Sequence, residues 1–218
     1  MPQLLRVQNF TVSADGFGTG EGQSLERPFG HADPRELMAW AFGTASFHVS
    51  QAENGSRGID DHFIRDFDHG IGAEIMGANK FSPFRGPWAD SEQPDWQGWW
   101  GDEPPFHTPV FVLTHHLRPS FTLSDTTFHF TDAEPAAVLQ QAREAADGKD
   151  VRLGGGATTI REFLDADLVD TLHVAVSPVT LGRGVRFWES PEELEDRFEH
   201  DVVASPRTGV THHLFWRR

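Results

Sequence analysis

Apolar residues recur along the chain in two periods, and together they predict alternating strands and helices. Leu4 to Ser13 looks extended and runs into the glycine-punctuated stretch Ala14 to Gln23, so it reads as a first strand opening into a loop. Asp33 before Pro34, with Glu36 completing a capping box and Leu37, Met38 and Trp40 following, has the form of a helix start, and Gly43 of its stop. Ile59, Phe63 and Phe67 recur at four-residue spacing and predict a helix from about Asp60 to His69, ended by Gly70, with a short buried strand from Ala73 to Gly77 next. From Ser82 to Pro109 the pattern is irregular and rich in proline, and it holds four of the seven tryptophans, so a long ordered loop is expected.

Regular alternation then resumes. Val110 to Thr114 is an unbroken apolar run suited to a central parallel strand, and Thr126 to Thr131 suits another. Pro135 to Asp147 is Ala-rich and helical, Asp150 to Gly156 is a strand entering a glycine turn, and Ile160, Phe163, Leu164 and Leu168 mark the helix after it. Asp170 to Val179 supplies a further strand. Two alternating segments, Phe198 to Ala204 and Val210 to Trp216, flank Ser205 to Gly209 as an antiparallel hairpin. The order predicts an α/β protein with a mixed sheet, and no linker divides its 218 residues, so a single domain over residues 1–218 is expected.

Charge narrows the partners. Eighteen basic against 33 acidic residues give a formal net charge of −15, a field that repels nucleic acid and anionic lipid. Cysteine is absent, which excludes disulfides, thiolate metal sites and a cysteine nucleophile. The first ten residues lack the apolar core of a signal peptide, and a cytoplasmic protein is expected.

The strongest local signal for chemistry is Gly154, Gly155, Gly156, Ala157, Thr158 and Thr159 between a strand and a helix. Missing side chains there would let a pyrophosphate approach backbone amides at a helix N-terminus. Position 159 is threonine and no lysine follows, so neither common nucleotide fingerprint is met, and a tight turn needing positive φ stands beside the phosphate reading. The histidine pairs His115–His116 and His212–His213 fall at or beside strands, where adjacent side chains point apart, so neither pair chelates one ion; His62, Asp66 and His69 share a helical face. No metal site is expected, and these histidines read as surface residues. The aromatic residues of the long loop could stack on a planar ring or form a small core of their own. Lys80, one of two lysines, could offset a bound phosphate or simply be solvated.

Read in order, the segments Ser13 to Gly16, Ile75 to Phe81, Val110 to His116 and Val151 to Trp188 resemble the dihydrofolate reductase-like superfamily. More narrowly, they resemble the group that contains the C-terminal reductase domain of the bifunctional riboflavin-biosynthesis deaminase-reductase. The resemblance spans nearly the whole chain, and its most specific part is Val151 to Trp188. It implies a three-layer α/β fold with a mixed, mostly parallel sheet, NADPH as cofactor, a homodimer, and hydride transfer to a small heterocyclic (pteridine- or pyrimidine-like) or carbonyl substrate.

By position, the resemblance implies that Gly77, Ala78, Asn79 and Lys80, with Thr114, His115 and His116, flank the adenine-ribose phosphate end of the cofactor, and that Gly154 to Thr159 hold its pyrophosphate. It puts Asn9, Gly16 and Phe17 on the substrate side, with Asp15 and Asp61 as candidate catalytic carboxylates. Two positions depart from the family pattern, Ala78 and His115 standing where arginines are usual. The folate-type loop is also missing, which argues against folate as substrate. A nucleotide- or pterin-binding module without turnover is the alternative these departures favour.

Overall fold

The computed structural model describes residues 2–47 and 55–218. In chain order the elements are β1 (Leu5–Val12), β2 (Phe17–Thr19), α1 (Pro34–Leu37), α2 (Ala39–Phe42), α3 (Ile59–Arg65), β3 (Ile71–Gly77), α4 (Ala78–Phe81), β4 (Val110–Leu113), β5 (Phe121–Leu123) and β6 (Thr126–Thr131). They continue as α5 (Pro135–Ala145), β7 (Asp150–Leu153), α6 (Ala157–Asp165), β8 (Thr171–Val176), β9 (Val185–Arg186), β10 (Phe198–Ala204) and β11 (Thr211–Arg217). Every strand and helix expected from periodicity is present; β2, β5, β9 and α4 are too short to leave a periodic signal.

Two local differences have simple causes. The Asp33 side chain caps α1 through the Arg35 amide at 2.8 Å, but the helix breaks at Met38 before α2 resumes it. Helix α3 stops at Arg65 rather than His69. Beyond it, the Phe67 and His69 amides make three-residue turn bonds, to Ile64 and Asp66, in a stretch whose aspartates and terminal glycine favour turns over helix.

The contacts divide the chain into two compact units. The first comprises Met1–Arg6, Ser24–Pro28 and Gly70–Asp170. In it β3 lies between β7 and β4, all parallel, with Glu74 opposite both Arg152 and Val110. The start of β1 extends the parallel set beyond β7, and β6 extends it beyond β4, with β5 returning antiparallel to β6. Strand β3 is buried along its whole length, as a strand flanked on both sides must be. Helix α5 closes on it so tightly that a Cβ at Gly72 would sit 2.1 Å from the Ala146 carbonyl oxygen.

The irregular stretch after β3 builds a core of its own, with Trp88, Trp96 and Trp100 against Met76, Phe81, Phe106 and Phe128. Trp100 stacks on Phe128, Trp96 donates its indole N–H to the Phe81 carbonyl at 2.9 Å, and Arg118 lies over the Trp88, Phe121 and Phe130 rings.

The second unit comprises Val7–Gln23, Phe29–His69 and Thr171–Arg218. Here β8, β11 and β10 are antiparallel neighbours, so the C-terminal hairpin is present with Phe198 opposite Arg217. Strands β2 and β9 form a separate two-stranded ribbon. Trp40 anchors the core among Ala41, Ile64, Ala175 and Val210, and its indole N–H donates to Thr11 Oγ1 at 3.0 Å. The architecture is thus the expected one, α/β with a mostly parallel sheet and antiparallel strands at the C-terminal end. No helix among the described residues is long and apolar enough to cross a membrane.

Phe128 is fully buried and touches four aromatic rings. Phe128→Ala should cost about 3–5 kcal/mol in urea unfolding, whereas Leu117→Ala, at a side chain 57% exposed, should stay within about 0.5 kcal/mol.

Candidate active site

In the first unit the expected cofactor residues fall on three adjoining segments. Gly77 ends β3, and Ala78, Asn79 and Lys80 form the short α4. Thr114 follows β4, is buried, and accepts the His116 amide on its hydroxyl at 3.1 Å; His115 and His116 lie exposed in the turn beyond. Gly154 to Gly156 link β7 to α6, which begins at Ala157.

The glycine turn is locked to the end of β3. The Gly77 amide donates to the Gly155 carbonyl at 2.8 Å, and a Cβ on Gly77 would lie 2.2 Å from Thr159 Oγ1. Gly155 has φ of +108°, the left-handed region that favours glycine, and the Gly155–Gly156 peptide is cis. Gly156 is the N-cap of α6 with no side-chain cap bond, and the first intrahelical bond runs from the Ile160 amide to the Gly156 carbonyl. The amides of Ala157, Thr158 and Thr159 therefore lie ahead of the helix's own bonding and face outward at its positive end. A Cβ on Gly156 would meet nothing within 4 Å.

Gly154 is glycine for a different reason. A Cβ there would come within 2.2 Å of Glu74 Oε1 and 2.4 Å of Lys80 Nζ. Those two groups form an ion pair at 2.9 Å, and Arg152 from β7 holds the other Glu74 oxygen through Nε at 2.8 Å and through Nη2. Glu74 is 1% exposed, Arg152 is buried, and the Lys80 side chain is 30% exposed. Burial pushes the Glu74 carboxyl up, but Arg152 and Lys80 together outweigh it and hold the group below its ordinary pKa. Burial draws the Lys80 ammonium down, opposed by Glu74. Two cations on one carboxylate leave one positive charge in excess beneath the glycine turn.

The expected substrate-side residues fall in the second unit. Asp15 accepts hydrogen bonds from the Ser13 hydroxyl at 2.6 Å and from the amides of Leu181 at 3.0 Å and Gly182 at 2.6 Å. Burial works to raise its carboxyl, but these bonds more than offset it and its pKa lies below the ordinary value. Gly16 has φ of +83°, and a Cβ on it would strike the Trp188 carbonyl oxygen at 2.2 Å. Phe17 is buried, with the Arg186 guanidinium 4.3 Å from its ring centre. Asp61, buried on α3, accepts the Ser46 amide at 2.8 Å, and Asn9 adopts a positive φ of 55° within β1.

The reading of the histidines as surface residues needs correction at His212. It is fully buried, with Nε2 2.8 Å from Asp60 Oδ1 and Nδ1 2.9 Å from His173 Nε2. His173 and Asp60 are buried as well, and none of the three was singled out from the sequence as part of a site. The available signal was a lone polar residue, His173, inside the apolar strand Leu172 to Val176. Among the described residues no group of three or more histidine, aspartate or glutamate side chains is arranged to hold a metal ion.

Glu74→Gln should remove about 3 kcal/mol of stability near neutral pH by leaving the buried Arg152 and the half-buried Lys80 without their counter-charge. Because the folded pKa is depressed, the Glu74 contribution is complete above the unfolded carboxyl value of about 4.3 and drains away as pH falls through the folded value. Urea unfolding at falling pH should therefore show the gap between wild type and variant closing; a constant gap would contradict this account.

No curated protein matches the chain in sequence. Among solved structures, a putative riboflavin biosynthesis protein from Shewanella sp. PV-4 superposes with a TM-score of 0.55 at 18% identity, over 100% of this chain and 99% of that one. Dihydrofolate reductase from Enterococcus faecalis, complexed with NADP(H) and RAB-propyl, gives 0.52 at 13% identity, over 99% and 96%. A diaminohydroxyphosphoribosylaminopyrimidine deaminase/5-amino-6-(5-phosphoribosylamino)uracil reductase from Thermotoga maritima gives 0.53 at 13% identity, with 99% of this chain spanning 57% of that one. These likenesses show a dihydrofolate reductase-like fold. The family described as the RibD C-terminal domain matches residues 7–206, and the chain belongs to that family.

Proposed function

We propose that this chain is an NADPH-dependent reductase acting on a small heterocyclic compound of pteridine or pyrimidine type. The observation that carries the reading is the uncapped start of α6, whose first amides lie behind a glycine with open space on its Cβ side. That cradle fits a pyrophosphate. Gly154 to Thr159 would hold it, with the excess charge of the Glu74, Lys80 and Arg152 group beneath, and Ala78, Asn79, Thr114, His115 and His116 would border the adenine-ribose end. When bound, the nicotinamide supplies the hydride, and the protein's part is to bind and orient.

On the substrate side Asp15 acts as an anionic clamp. Its carboxylate ties Ser13 to the loop at Leu181 and Gly182, which fixes the backbone of Gly16 and Phe17; an ionised group with three donors is a poor proton source. That favours, as a second reading, a nucleotide- or pterin-binding module without turnover. Loss of nicotinamide absorbance with candidate heterocycles separates the two readings.

Gly156→Val should leave the fold intact, since its side chain meets open space at an ordinary φ of −78°, and should weaken NADPH binding at least tenfold by covering the amides. Unchanged affinity by fluorescence titration in the folded variant would remove the reading. A cytoplasmic homodimer belongs to the same proposal. Phe198 and Phe215 of the hairpin are consumed internally, while Val202 and Trp216 stay exposed on opposite faces. Sedimentation at micromolar concentration should give a two-chain mass; a single-chain mass would remove the dimer and leave the cofactor proposal standing.

A further inference from the structure

The second unit holds a chain of four polar groups, Asp60, His212 and His173 buried and Asn9 at their end, that the cofactor reading does not use. Asp60 on α3 accepts from the Ser205 hydroxyl at 2.8 Å and the Thr208 hydroxyl at 3.1 Å on Oδ2, and its Oδ1 meets His212 Nε2 at 2.8 Å. His212 Nδ1 meets His173 Nε2 at 2.9 Å. His173 Nδ1 then faces Asn9 twice, at 2.8 Å from the side-chain Oδ1 and at 3.3 Å from the backbone amide. Phe63 stacks on the His173 ring and Trp40 presents its plane edgewise to both imidazoles, so water is kept off the pair.

Counting protons gives two complete solutions. With Asp60 ionised and both rings neutral, His212 donates from Nε2 to Asp60, and His173 donates from Nε2 to His212. The bare His173 Nδ1 accepts the Asn9 amide. Those two ring protons leave the network with a charge of −1. One more proton makes it neutral overall and gives each of the three contacts along the chain its own hydrogen, His173 Nδ1–H now donating to Asn9 Oδ1. Asn9 offers this nitrogen both an acceptor and a donor: the third proton is bonded by Oδ1 at 2.8 Å, whereas the bare nitrogen keeps the longer 3.3 Å bond from the amide and repels Oδ1, which must ease away from it. The Asn9 side chain is itself held in place, its Nδ2 donating to the Phe63 carbonyl at 3.0 Å.

We propose that Asp60, His212 and His173 form a one-proton store whose occupancy is read at Asn9. The step adds one proton from water and forms one N–H bond at His173 Nδ1. The two protons further along then cross their hydrogen bonds toward Asp60, so that the His173 Nε2–H and His212 Nε2–H bonds break as His212 Nδ1–H and Asp60 Oδ1–H bonds form. Thr208, partly exposed, brings the Asp60 end near solvent, and Asn9 is partly exposed at the other end. A hydride reduction consumes one proton per turnover, and supplying it is the use of the store if the reductase proposal holds; the store itself does not depend on that reading.

Burial keeps His173 well below the ordinary imidazole pKa, with His212 and His213 adding to the shift. Burial also lowers His212, against the pull of its bond to Asp60. Neither ring therefore keeps a positive charge of its own, and the third proton is stable only because the Asp60 charge is there to be neutralised. The other titratable neighbours are His213 on β11, itself pushed down to about 4 by burial and by His200, and Asp61 on α3, which turns to the Ser46 amide. From β1 and α2, besides Asn9, the buried polar side chains Thr11 and Trp40 are bonded to each other and carry no charge.

The test is nitrogen NMR of histidine-labelled full-length protein, without cofactor or substrate, from about pH 5 to about pH 9. His173 Nδ1 should carry a proton at the acid end and lose it in one step as pH rises, His212 responding in the same step. Asp60→Asn keeps an acceptor for Ser205 and Thr208 and fixes an amide donor toward His212 Nε2, as the protonated carboxyl does, so His173 Nδ1 should hold its proton across the range. His212→Gln, with a donor toward Asp60 and an acceptor toward His173, should instead leave Nδ1 bare across the range, so either variant that folds suffices. A wild-type Nδ1 that stays in one state throughout, or a folded variant whose Nδ1 still titrates as in the wild type, overturns the store. A nucleotide titration of the same sample reports separately on the cofactor proposal.

Discussion

The first unit is organised around one electrostatic demand, the placing of a carboxylate at the centre of a strand that is buried on both sides. Glu74 can occupy that position on β3 only because β7 brings Arg152 alongside and α4 returns Lys80 over the top. An unpaired carboxylate there would shed its charge or unfold the strand. The solution fixes its neighbours in turn. Gly154 must lack a side chain because the ion pair occupies the space, and Gly77 must lack one because Thr159 does. Packing thus explains the glycines at 77 and 154, while Gly156 borders open space.

The second unit meets a similar demand differently. Asp60 is as buried as Glu74, but among the described residues its partners are hydroxyls and an imidazole rather than an arginine or lysine. A cation pair of fixed charge holds its geometry over a wide pH range, whereas imidazoles share protons and let the local charge change. One arrangement suits a rigid floor under a binding surface, the other a site whose protonation is part of its work.

Much of this was legible in the chain and some of it was not. Strong periodic segments such as Val110 to Leu113 and Ile160 to Leu164 announced their elements because burial on one or both faces demands apolar residues at fixed spacing. The glycine turn and the family resemblance pointed to the same strand-to-helix junction. What the sequence hid were contacts between distant positions. Arg152 and Glu74 lie 78 positions apart, and His212 and Asp60 lie 152 apart, so local spacing carries no trace of either pair. Adjacent histidines on β11 looked alike, yet strand alternation buries His212 against His173 and turns His213 toward His200 on the other face.

The tryptophans divide between the units, with Trp88, Trp96, Trp99 and Trp100 in the first and Trp40, Trp188 and Trp216 in the second, and the chain has no tyrosine. Its near-ultraviolet emission is therefore dominated by indoles, phenylalanine being a weak emitter, and each unit carries its own lamps. Replacing the indoles of one unit with phenylalanine leaves the light of the other, so the melting of each half can be followed by eye of the spectrometer within a single intact chain.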